Sequence, residues 1–173
     1  MWRAVVLSMT LAATLAVTAD AQPSGYFGTL EDVRVELVYG GGFGGGTTRI
    51  ILSGSGTGEI DRRPFSPDQS LKHEYYEIAF YPAELDSLVG GFFDAWFFEL
   101  PDEVGTRKNL MVDGNGRAGI AHQIVYDAGT YTLTVAFADY RKSVTFSAHR
   151  ASAPEYLYTL VDRVIGFAEE RVN

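Results

Sequence analysis

An α+β fold is the class this sequence predicts: a mostly antiparallel sheet, ordered strands, helix, strands, helix, with two amphipathic helices packed on one face. Three observations predict it. Apolar and polar residues alternate with period two at 33–39 and 130–137, apolar stripes with helical spacing begin at Leu85 and Leu157, and Gly- or Asp-rich turns separate the strands.

Val33, Val35, Leu37 and Tyr39 fall on one side of an extended chain, with Arg34 and Glu36 opposite. Period two with β-branched residues predicts a strand. Gly40-Gly41-Gly42-Phe43-Gly44-Gly45-Gly46 follows, and then Thr48, Ile50 and Leu52 alternate with Arg49 and Ile51, so a glycine loop joins two strands in a hairpin. A second glycine stretch at 53–58 turns the chain toward 59–62. The composition of 64–70 predicts a loop, and 71–80 returns as a strand.

Pro82 suits a first helical turn, and Leu85, Leu88, Val89, Phe92, Phe93 and Trp96 form one wide apolar stripe that runs toward Pro101. Gly90 and Gly91 lie outside the stripe and cost about 1 kcal/mol each against Ala, so burial of the aromatics must hold this helix. Residues 102–119 turn polar and glycine-rich around Asp113-Gly114-Asn115-Gly116, which predicts a long surface loop or a small excursion hairpin. Segments 120–126, 130–137 and 142–147 then predict a three-strand antiparallel meander. Ser152-Ala153-Pro154-Glu155 has the spacing of a capping box, and the closing helix buries Leu157, Leu160, Val161, Val164, Ile165 and Ala168.

The chain has 173 residues, 46% of them hydrophobic, and a net charge of −8. That balance predicts a globular protein and argues against nucleic acid as a partner, because an acidic surface repels phosphate. With no cysteine, disulfides, thiolate nucleophiles and Cys-ligated metals are excluded. Met1-Trp2-Arg3, an apolar run at 4–17 and the small-x-small site Ala19-Asp20-Ala21 predict a signal peptide at 1–21. An apolar run of about 14 residues is shorter than the roughly 20 that span a bilayer, so no membrane attachment is expected after cleavage. Residues 22–32 are then a flexible N-terminal segment and 33–173 a single domain of a secreted or periplasmic protein.

No pattern of catalytic residues emerges. Gly40 to Gly45 satisfies GxGxxG, yet a strand follows it where dinucleotide binding requires a helix N-terminus. His73-Glu74-Tyr75-Tyr76-Glu77 begins like HExxH but ends on Glu and lies in a strand, so it lacks the helical ligand spacing. Asp113-Gly114-Asn115-Gly116-Arg117 puts Arg117 at the third ligand position of a calcium loop. No Ser is flanked as GxSxG, and the three His, at 73, 122 and 149, are scattered. The expectation is a protein that is not an enzyme, with no catalytic residue, cofactor or metal, and with a protein as its partner.

The glycine hairpin from Val35 to Gly44 resembles the opening of the emfourin family. The helix closing on Phe97-Phe98-Glu99-Leu100-Pro101, the strands at 127–146 and the terminal Pro154, Leu157 and Leu160 are similar to that family's later course. The resemblance spans 33–168 with gaps. It implies an inhibitor of a thermolysin-like zinc metallopeptidase, and it assigns protease contact to the glycine–aromatic loop, Gly41, Gly42, Phe43 and Gly44. The signal peptide and the segments 53–70 and 102–119 are additions to the family's compact pattern. The alternative is a secreted or periplasmic binding module that uses the same scaffold for another ligand.

Overall fold

The computed structural model describes residues 28–42, 45–65, 72–105, 107–123 and 128–172. The expected signal peptide at 1–21, residues 22–27 and the loop residues Phe43 and Gly44 lie outside the described residues. The fold is α+β with a mostly antiparallel sheet and two helices. Its elements are β1 (Val33–Gly40), β2 (Thr47–Ser53), β3 (Thr57–Arg63), β4 (Glu74–Ala79), α1 (Pro82–Asp94), β5 (Glu103–Val104), β6 (Arg107–Val112), β7 (Ala118–Gln123), β8 (Thr130–Phe137), β9 (Tyr140–Ser147) and α2 (Glu155–Glu169). Seven strands form one sheet in the order β4-β3-β2-β1-β8-β9-β5, and β6 and β7 form a separate two-stranded ribbon. Among the described strands, only β5 runs parallel to its neighbour, β9.

The central register explains the core. Val35 and Leu37 of β1 stand opposite Leu52 and Ile50 of β2 and opposite Val135 and Leu133 of β8, so alternate residues of three strands face one way. They are buried with Leu85, Leu88 and Phe92 of α1 and Leu157, Leu160, Val161 and Val164 of α2 in one cluster. Each such side chain contributes about 1.5–3 kcal/mol by leaving water, and this burial is what offsets the helix-weakening glycines of α1. The alternate residues on the sheet's other side pair across strands instead: Thr134 Oγ1 lies 2.6 Å from Ser143 Oγ, and the Arg49 Nε–H donates to Glu36 at 2.7 Å.

Several expectations are corrected. The three-strand meander does not form, because β8 pairs with β1 over its whole length while β7 pairs only with β6. The β1–β8 register buries Val35, Leu37, Leu133 and Val135 together. The stretch at 53–65 includes β3, which lies within the sheet between β2 and β4. Of the two readings of 102–119, the hairpin is the one formed: Asp113 Oδ1 accepts from the N–H groups of Asn115 and Arg117 at 2.9 and 2.8 Å and closes the turn between β6 and β7.

Order also begins earlier than Val33. Leu30–Asp32 is a 3-10 turn in which Asp32 accepts from the Thr29 N–H at 2.8 Å, and Leu30 packs against the core. In α1 only Leu85, Leu88 and Phe92 of the predicted stripe are buried, together with Gly91, while Phe93 and Trp96 are exposed. A Cβ on Gly91 would lie 2.6 Å from Arg163 of α2, so this glycine sits where the helices meet rather than outside the contact. Pro154, not Ser152, is the N-cap residue of α2, and the Ser152 hydroxyl lies 3.4 Å from His149 Nδ1 instead.

Candidate functional site

The sheet has two unlike ends. Glu74, Arg63, Thr47, Gly40, Thr130 and Ser147 lie along one end by successive pairings, with Val104 beside Phe146. This end therefore carries the glycine hairpin between β1 and β2, the β3–β4 connection, the exit and return of the β6–β7 ribbon, and the turn from β9 into α2. Several loops held on one rigid edge make the natural contact surface of such a scaffold.

The hairpin's base is closely packed. A Cβ on Gly40 would fall 2.3 Å from the Gly46 carbonyl oxygen, one on Gly46 would fall 2.1 Å from that of Arg63, and one on Gly129 would fall 2.8 Å from that of Gly40. Three backbones thus approach more closely than any side chain permits. Of the four predicted contact residues, Gly41 and Gly42 are described; both are exposed, at φ +83° and +78°, in the left-handed region that favours glycine. Phe43 and Gly44 lie outside the described residues.

Charged and aromatic side chains brace this end. Arg62 is ion-paired with Glu74 at 3.3 Å and with Glu169 at the end of α2, and the Glu169 carboxylate foremost raises the guanidinium above its usual range. The Tyr158 hydroxyl lies 2.6 Å from the His149 carbonyl and 3.0 Å from that of Ser147, which pins the turn after β9. Tyr39, Tyr131, Phe146 and Tyr158 form a continuous ring contact beneath the hairpin, with Tyr39 and Tyr131 5.8 Å apart. Burial, and then the carboxylate of Asp162, pushes the Tyr131 phenol up, so it stays neutral at physiological pH.

Asp61 meets two cationic or polar partners: Arg63 Nη2 at 2.6 Å and His73 Nε2 at 2.6 Å. The Arg63 hydrogen bond, aided by His73, holds the Asp61 carboxyl below its ordinary range. A His–Asp pair becomes catalytic when the second ring nitrogen reaches a nucleophile; among the described residues Asp61 is the bonded partner of this ring. By backbone pairing His122 stands on β7 opposite Lys108, and His149 lies at the turn before α2. Among the described residues, no group of three or more His, Asp or Glu could hold a metal ion. No described helix is long and apolar enough to cross a membrane.

The sequence had no signal for Arg62 as a support of the loop end, because its partner Glu169 lies far along the chain. No protein-family model and no curated protein sequence matches this chain.

Proposed function

We propose that the protein is an exported, non-catalytic inhibitor of a thermolysin-like zinc metallopeptidase and that it acts through the glycine hairpin. The observation that carries the reading is the contrast within that hairpin: Gly41 and Gly42 are exposed at positive φ, while Gly40 and Gly46 lock its base against neighbouring backbone. A base held in this way reduces the conformational entropy lost when the hairpin enters a cleft, which favours binding. The glycine–aromatic composition from Gly41 to Gly44 is the part that resembles emfourins. In this reading the strands, helix, strands, helix order, with both helices over one face of the sheet, is the rigid mount, and Phe43 is the apolar anchor of the tip.

The test is residual activity of a thermolysin-like protease titrated with the purified exported chain, with electrophoresis to follow whether the chain stays uncut. Stoichiometric loss of activity is the expected result. Loss of that inhibition in Phe43→Ala and in Gly42→Val assigns it to the hairpin, and retained inhibition in both overturns the assignment. Unchanged activity of the protease, or digestion of the chain, overturns the inhibitor reading in favour of a binding module.

A further inference from the structure

The opposite end of the sheet carries a feature that protease inhibition through the hairpin does not use. Leu30, Val89, Phe93, Trp96, Phe98 and Phe137 line an open apolar groove of about 730 Å³ between α1 and the ends of β1 and β8. Strand β1 runs eight residues from Val33, which lines the groove, to Gly40 at the glycine hairpin, a separation of about 23 Å. The two surfaces are therefore independent.

Three features set this groove apart from the surrounding surface. First, Trp96 is 74% exposed and Phe93 63% exposed, a concentration of aromatic surface that folding alone does not require. Second, Trp96 sits at φ +52°, ψ +33°, a left-handed conformation that glycine fills without strain and that a bulky side chain adopts at a cost. Third, the floor is rigid: Phe92 and Phe97, both buried, meet edge to face at 5.0 Å, Phe97 meets Phe98 at 5.7 Å, and Phe98 meets Phe93 at 4.8 Å. The ring ladder carries core order out to the surface.

Charge selects the occupant. Asp86 and Glu99 line the same groove, and neither is ion-paired among the described residues. The chain as a whole carries −8, so a second copy or an anionic membrane would bring like charge against these carboxylates. We propose that this groove binds a segment of a partner protein in which bulky aromatic side chains are flanked by Lys or Arg. The aromatic side chains fill the apolar floor, and the cations meet Asp86 and Glu99 at the rim.

Tryptophan occurs only at positions 2 and 96, so in the full chain carrying Trp2→Phe the emission of Trp96 reports on the groove alone. The probes are the peptides acetyl-Arg-Phe-Phe-Arg-amide and acetyl-Glu-Phe-Phe-Glu-amide. The basic peptide is expected to shift Trp96 emission to the blue and to saturate, with the acidic peptide at least about tenfold weaker. Asp86→Asn combined with Glu99→Gln is expected to bring the two affinities together. By anisotropy of a dye-labelled basic peptide, Trp96→Gly loses binding while its melting temperature stays level or rises, because glycine relieves the left-handed strain. That pairing separates a lost contact from a lost fold. Equal binding of both peptides, or no saturable shift up to about 1 mM, overturns the proposal. So does a Trp96 shift produced only by self-association or by phosphatidylcholine vesicles. None of these outcomes depends on protease inhibition, so each reading fails separately.

Discussion

The Glu84 carboxylate lies 2.6 Å from Arg171, joining the first turn of α1 to a residue two positions past α2. Its other oxygen accepts from the Tyr81 N–H at 2.8 Å, one of the donors left open where the helix begins. Arg171 also donates to the Phe167 carbonyl at 2.6 Å and stacks 3.9 Å above the Phe167 ring. One ion pair thus ties both helices to each other and closes an end of each.

The Tyr81 N–H, reinforced by Arg171, holds Glu84 below its ordinary value of 4.5. A depressed carboxylate stabilises the fold above its unfolded pKa, and that contribution disappears as pH falls through the folded value. Thermal melts are therefore expected to lose stability from about pH 4.5 downward. Glu84→Gln is expected to lower the melting temperature at pH 7 and to flatten the acid limb. Arg171→Ala should lower it further, since it removes the Phe167 contacts as well. A Glu84→Gln variant whose melting temperature follows pH as the parent does would refute the coupling.

Adjacent phenylalanines on α1 are expected to differ sharply. Phe92 is fully buried and Phe93 is 63% exposed. Phe92→Ala leaves a cavity beside Phe97 and is expected to cost about 3–5 kcal/mol, whereas Phe93→Ala stays within about 0.5 kcal/mol. Urea denaturation of the two variants measures the difference, and similar midpoints would contradict the orientation of α1.

The difference between those residues also marks where legibility stops. Period-two alternation revealed β1 and β8 because Val35, Leu37, Leu133 and Val135 are buried on one face while the residues between them are polar, and Leu85, Leu88 and Phe92 were readable by helical spacing. Phe93 and Trp96 have the same hydrophobicity, but α1 ends at Asp94 and the turn at Trp96 swings the chain away, a tertiary outcome that spacing cannot carry. Strand β5 has two residues and owes its existence to β9, far along the chain. In the hairpin, the glycines announced a turn; that Gly46 must be glycine because the Arg63 carbonyl passes above it depends on a contact between distant residues.

Glycines with open surroundings behave differently. A Cβ on Gly90 in α1, or on Gly166 in α2, would meet nothing within 4 Å. Alanine at either position keeps the helix and lowers the entropy of the unfolded chain, so each substitution is expected to stabilise by about 0.5–1 kcal/mol. Gly46→Ala is expected to destabilise, because its Cβ would lie 2.1 Å from the Arg63 carbonyl oxygen. Chemical denaturation of the three variants gives the signs directly, and a stabilised Gly46→Ala would contradict the packing at the hairpin base.

The β6–β7 ribbon is expected to be dispensable for folding. Among the described residues its two strands pair only with each other, and the chain leaves and returns at one place: Val104 and Tyr131 both stand beside Phe146, on opposite sides of β9. Two strand spacings separate them by about 10 Å, a gap that a Gly/Ser linker of about six residues spans easily. Replacing 106–127 with such a linker should leave the unfolding free energy within about 1 kcal/mol of the parent, because loop-closure entropy changes slowly with length. The same variant separates structure from contact at the loop end. Retained stability with weakened protease inhibition would make the ribbon a second contact beside Gly41 and Gly42; retained stability with unchanged inhibition would leave the hairpin as the working loop. Collapse of the fold would mean that the ribbon supports the sheet in a way its pairing does not reveal.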